Sequence, residues 1–173
     1  MNINYKKTLK LVTLILTSLI IATVSAETYR YMYIDGSVTI GSSMLVWLEG
    51  ADAPGDTTIG GSTVTLDLDV EAGTPVNFTE CLFLKNENAS GSFSLLISIP
   101  TAVSASDFDT CNLHIYQNST GTWEFVDTLT LTNSADTYSG SLAAGNYLRF
   151  TFDVQADSGA TGSKSFDIQV RYN

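Results

Sequence analysis

The chain has 173 residues, with 8 Lys+Arg against 18 Asp+Glu and a formal net charge of −10 at pH 7. That is long enough for one domain with a sizeable core, and its charge has the wrong sign for a polyanion, so no nucleic-acid partner is expected. Charged residues are only 15% of the chain, and Tyr and Phe, eight each, outnumber Lys and Arg together, a composition of folded β-rich domains rather than disordered ones.

The first 26 residues fall into three parts: Lys6, Lys7 and Lys10, then an apolar run from Leu11 to Ala22, then Val24-Ser25-Ala26. This order predicts a secretory signal peptide over 1–26 and a mature start at Glu27. A retained membrane helix would need roughly 20 apolar residues, more than this run supplies. A type IV pilin leader would need a Gly or Ala after the lysines, and none follows Lys6, Lys7 or Lys10. Cleavage leaves 5 cationic against 18 acidic side chains, a mature charge of −13. No membrane span is expected after cleavage, and the C-terminal Arg171-Tyr172-Asn173 carries no lipidation motif. The expected location is extracellular, at the cell surface.

Next comes Thr28-Tyr29-Arg30-Tyr31-Met32-Tyr33-Ile34, a β-prone strip set off by Asp35-Gly36. Alternation places Tyr29, Tyr31 and Tyr33 on one face and Arg30, Met32 and Ile34 on the other. Burying the three tyrosines would contribute roughly 1.5–3 kcal/mol each before ordering costs. Such a strip either forms an edge strand of its own sheet or pairs into a neighbouring subunit by β-strand addition. Repeated head to tail, the second arrangement makes a filament. The domain division read from this is 1–26 leader, 27–35 N-terminal donor strand and 36–173 body.

From there to the end, apolar and polar residues alternate with a period of two between Gly, Asn, Asp and Ser turns. The clearest run is 63–70, where Val64, Leu66, Leu68 and Val70 alternate with Thr63, Thr65, Asp67 and Asp69. Similar runs at 38–40, 44–48, 76–84, 93–99, 112–116, 123–131, 147–154 and 166–172 bring the count to about nine short strands. An all-β sandwich, jelly-roll-like and without long helices, is the expected fold.

Cys81 and Cys111 are an even pair, and in an oxidising compartment they predict a disulfide closing a loop of about 30 residues, worth roughly 3–4 kcal/mol. Two buried free thiols are the alternative. Three acceptor triplets for N-linked glycans occur, at Asn77-Phe78-Thr79, Asn88-Ala89-Ser90 and Asn118-Ser119-Thr120. Asn88 and Asn118 lie in turn-like contexts and are the better candidates.

The order of features resembles the TasA-type filament proteins, including the archaeal bundling-pilus subunits. The resemblance rests on the leader followed at once by a short strand, then Gly36-Ser37-Val38-Thr39-Ile40, then Val70-Glu71-Ala72-Gly73-Thr74-Pro75-Val76-Asn77-Phe78-Thr79 leading to Leu84-Lys85-Asn86. It continues with Leu142-Ala143-Ala144-Gly145-Asn146-Tyr147-Leu148 and closes on Phe166-Asp167-Ile168-Gln169-Val170. It implies a jelly-roll subunit of an extracellular filament, polymerised head to tail through a donor strand that falls on Thr28, Tyr29, Arg30, Tyr31, Met32, Tyr33 and Ile34. The implied partners are further copies of the chain, then other filaments or the cell surface. The archaeal cannula subunits, which need calcium, are similar in kind and make Ca²⁺ a candidate ion, with no cofactor otherwise expected.

Independent chemistry is sparse. Asp67, Asp69 and Glu71, and likewise Asp107 and Asp109, recur at a spacing of two, which describes a solvated strand face better than a Ca²⁺ cage of converging oxygens. Asp52 and Asp56 around Pro54-Gly55 are the better loop candidate for Ca²⁺, and no other cofactor or metal is expected. There is no His-Glu-x-x-His and no Gly-x-Ser-x-Gly. The single histidine, His114, sits in an alternating strand, so no enzyme is expected. The rival function is a monomeric carbohydrate-binding or adhesion module that stacks sugars on Trp47, Trp123 or tyrosines, with core packing as the alternative role of both tryptophans.

Overall fold

The computed structural model describes residues 31–40, 44–119 and 121–173. These form eleven strands and no helix. They are β1 (Tyr31–Ile40), β2 (Leu45–Glu49), β3 (Thr58–Gly60), β4 (Thr63–Glu71), β5 (Pro75–Asn86) and β6 (Phe93–Thr101), followed by β7 (Phe108–Asn118), β8 (Trp123–Thr130), β9 (Thr137–Leu142), β10 (Tyr147–Ala156) and β11 (Gly162–Tyr172). A six-stranded sheet in the order β3-β4-β1-β11-β6-β9 packs on a five-stranded sheet in the order β2-β5-β10-β7-β8. The expected all-β sandwich is therefore present.

The alternation read from the sequence supplies the core. On β4 the side chains of Val64, Leu66, Leu68 and Val70 are all buried, while Thr65, Asp69 and Glu71 are exposed. The five-stranded sheet answers with Leu82, Leu84, Leu113, Ile115, Leu148, Phe150, Phe152 and Val154. Phe152 of β10 and Phe166 of β11 meet across the two layers at 6.0 Å between ring centroids. Tight turns close the strands, such as Ala72-Gly73 between β4 and β5, where Gly73 has φ of +80°, a left-handed conformation that glycine adopts without a Cβ clash.

Two strands escape the sequence pattern. β3 has three residues and β9 is Thr137-Tyr138-Ser139-Gly140-Ser141-Leu142, whose inward positions are only Tyr138 and Leu142. Both are sheet edges, where short, polar strands suffice.

Candidate functional site

The N-terminal strand is the feature on which the sequence reading turns. Thr28, Tyr29 and Arg30 lie outside the described residues. Tyr31, Met32, Tyr33 and Ile34 form the first part of β1, which continues without a break through Asp35-Gly36 to Ile40. β1 is an interior strand, antiparallel to β4 and parallel to β11. It is therefore not the edge strand that was one of the two expectations.

The face of β1 that enters the core is also specific. Ile34, Gly36 and Val38 are buried, so that parity faces inward. Tyr31 and Tyr33 occupy positions of the other parity, opposite the exposed Glu71 and Asp69 of β4. Gly36 is required where it stands: a Cβ there would lie 2.4 Å from Cζ of Phe166. Over residues 34–38 the inner surface of β1 is thus Ile34 and Val38 with a notch between them that receives the Phe166 ring.

On the outer face one carboxylate clamps this strand. Asp167 of β11 accepts hydrogen bonds from the Ser37 hydroxyl at 2.5 Å and the Thr101 hydroxyl at 2.6 Å, so it ties β1, β11 and β6 together. The Ser37 and Thr101 bonds hold its carboxyl below the ordinary value of 3.8, since donors to the charged form favour it. Its contribution is therefore complete above pH 3.8 and is lost as the pH falls from there through the lowered native value. Melting Asp167→Asn beside the wild type at pH 6 and pH 3 is expected to show a smaller acid-induced drop in the variant.

The cysteine expectation is corrected. Cys81 on β5 and Cys111 on β7 are free and buried. β10 lies between their strands, so the two backbones are two strand spacings apart, about 9.5 Å. A disulfide tolerates Cα separations of only about 4.4–6.8 Å. Burial pushes both thiols up to about 12, leaving them protonated and inert below that pH. A thiol-reactive dye at pH 8 should label neither cysteine in the folded protein and both after unfolding without reductant.

The outer face of the five-stranded sheet carries Phe83, Tyr116, Trp123, Phe125 and Tyr147 in two adjacent rows. One runs Leu48, Phe83, Arg149, Tyr116, Phe125 across all five strands, and the next runs Lys85, Tyr147, Asn118, Trp123. The Arg149 guanidinium lies over the Tyr116 ring at 4.5 Å and the Trp123 ring at 4.9 Å, and it pairs with Glu80 at 3.7 Å. Phe83 and Trp123 are 5.6 Å apart. Phe125 is 59% exposed. No spacing within one strand announced this surface, because each strand contributes only one or two of its members.

The other candidates are dispersed. Trp47 is 2% exposed and packs on Phe150 at 5.5 Å, so it is core and offers no stacking face, whereas Trp123 is half-buried on the outer surface. His114 bonds through Nδ1 to the Thr128 hydroxyl at 2.7 Å. Asp107 pairs with Lys164 at 2.8 Å, Asp52 accepts a hydrogen bond from Thr79, and Asp69, Glu71, Asp109 and Asp56 are exposed. Among the described residues no three His, Cys, Asp or Glu side chains converge as a metal site, and no helix is long and apolar enough to cross a membrane. Asn77 is exposed on β5, Asn88 sits half-buried in a turn and Asn118 ends β7.

Comparison with protein-family models finds no match, and no curated protein matches the chain.

Proposed function

We propose that the protein is a secreted structural subunit that polymerises head to tail into an extracellular filament, each copy lending the strand beginning at Thr28 to the sheet of the next. The observation that carries this reading is the placement of β1. It is the first strand among the described residues, it lies inside a sheet, and both its partners, β4 and β11, are distant in sequence. Only residues 41–44, Gly-Ser-Ser-Met, join it to β2. Once the leader is removed, this strand is tethered at one end and leaves its slot without threading a loop, and an identical strand from another copy fills the same slot with the same hydrogen bonds. An empty slot would expose the edges of β4 and β11 and the buried Phe166 ring, so a strand that has left is replaced, and the strand of another copy meets the same need.

An in-register reporter distinguishes the two occupancies. Ser37 and Thr65 face each other across β1 and β4. The Ser37→Cys, Thr65→Cys variant, oxidised and run on a non-reducing gel, is expected to give a ladder from filaments. A single monomer band from material that contains filaments would show the strand seated in its own domain and overturn the proposal. Electron microscopy of the mature protein beside a variant lacking Glu27 to Ile34 supplies the second readout, with filaments expected only in the former.

The two aromatic rows favour one further reading, a monomeric module that binds carbohydrate through Trp123 and its neighbours. It predicts one monomer band, no filaments, and Trp123-dependent binding of an oligosaccharide.

A further inference from the structure

Asn118 stands between two aromatic residues in a single cross-strand row. β10 places Tyr147 opposite it and β8 places Trp123 opposite it on the other side, so each Cβ lies roughly 4.5–5.5 Å from that of the asparagine. The same three residues, with Leu48, Glu49 and Phe83, line an open cavity of about 430 Å³. Sites for small organic ligands have roughly this size and this make-up, apolar rings with a few polar groups that fix orientation. The Arg149 guanidinium lies over the Trp123 ring at 4.9 Å, and Tyr116 and Glu80 pin it in turn.

The three acceptor triplets differ in what surrounds them. Asn77 has only polar neighbours in its row, Asp153 and then Asn112. The Asn88 side chain is tucked into its own turn, its Oδ1 accepting from the Ser90 and Gly91 amides, and a Cβ on Gly91 would lie 2.6 Å from its Nδ2. Asn118 lines an aromatic cavity. Its Oδ1 accepts from the Gly121 amide at 2.8 Å, which orients the side chain, and Nδ2 is the atom that carries an N-linked sugar.

We infer that Asn118 bears an N-linked oligosaccharide whose first sugar ring packs in this cavity against Trp123 and Tyr147. The C–H face of a pyranose covers the rings, and Glu49 accepts from its hydroxyls at the rim. The mature charge of −13 selects a neutral sugar over an acidic one, and the covalent tether gives the packed ring a high effective concentration. In the attachment step, the bond between the anomeric carbon and the phosphate oxygen of a polyprenyl-phosphate-linked oligosaccharide breaks and the bond from that carbon to Nδ2 forms. Nδ2 gives up one proton, and the polyprenyl phosphate leaves with the electron pair; nothing is oxidised or reduced. The inference rests on export of the chain and not on filament formation.

The test uses protein isolated from its source. Intact and peptide mass spectrometry is expected to show a mature start at Glu27 and a glycan on the peptide that contains Asn118. Removing the glycan, or replacing Asn118 with Gln, is expected to lower Tm by a few degrees and to shift tryptophan emission to the red. Trp47 is fully buried, so that shift reports Trp123. In a Trp123→Ala background, glycan removal should no longer change Tm, and Trp123→Phe should restore part of the effect. An unmodified Asn118 on a chain that starts at Glu27 overturns the inference and leaves export standing, whereas an uncleaved leader with all three asparagines bare removes both. A glycan whose removal changes neither emission nor Tm also overturns it. So does a bare Asn118 with emission that shifts on titration with a neutral trisaccharide, an outcome that assigns the face to a free sugar.

Discussion

Replacing Gly36 with alanine is expected to lower the stability of the fold by about 2–3 kcal/mol, the upper range for forcing extra atoms into a packed core. Strand propensity alone argues the other way, since glycine in a strand interior is unfavourable, but that scale spans only about 1 kcal/mol. The steric cost wins because the new Cβ would sit 2.4 Å from Phe166 Cζ and 2.7 Å from Cε2. The ring has little room to retreat: Phe166 is 1% exposed and packs on Phe152 from the opposite sheet. At about 2–4 °C per kcal/mol for a chain of this size, Tm should fall by roughly 5–10 °C. A Gly36→Ala, Phe166→Leu double variant should recover part of the loss, and the double-mutant cycle measures the coupling. If β1 fills its slot in trans, the single variant also weakens polymerisation, because the notch and the ring then come from different copies. Wild-type stability in Gly36→Ala would mean that β1 seats elsewhere.

Truncation of Phe152 to alanine is expected to cost more, about 3–5 kcal/mol. Phe152 is fully buried on β10, the middle strand of the five-stranded sheet, and it holds the layers together through Phe166. A cavity there cannot collapse without moving strands paired on both sides, β5 and β7. Urea unfolding should show the midpoint falling sharply while the slope stays constant. Phe125→Ala is the matched control: the same truncation at a 59% exposed position is expected to change stability by only about 0.5 kcal/mol. Equal losses at the two sites would contradict the assignment of inner and outer faces.

The contrast between these phenylalanines shows where legibility ends. Val64, Leu66, Leu68 and Val70 could be placed in the core from sequence, because adjacent side chains on a strand point to opposite faces whatever the strand pairs with. Tyr31 and Tyr33 could not be assigned to a face by the same rule, because alternation states which residues share a face and not which face is buried. In the structure Ile34, Gly36 and Val38 face the core. Gly36 read as punctuation between a strip and a body, and it is instead the notch of an unbroken strand. The disulfide failed for a related reason. An even cysteine count carries no coordinates, and β10, some forty residues away in sequence from Cys111, lies between the two thiols.

The candidate surfaces divide the same way. Asn118-Ser119-Thr120 is visible as three letters, but its neighbours Tyr147 and Trp123 come from two other strands, and only their register makes a cavity of them. What the sequence by itself determined is the all-β class, the alternation that builds both layers, and the places where turns interrupt it, all consequences of forces that act over a few residues. Only the tertiary structure decided the strand order, the seat of β1 between β4 and β11, the fate of the cysteines and the rows of the outer face. Pairing between strands is made by backbone groups that are the same at nearly every position, so which strands meet is decided by the packing of the whole chain.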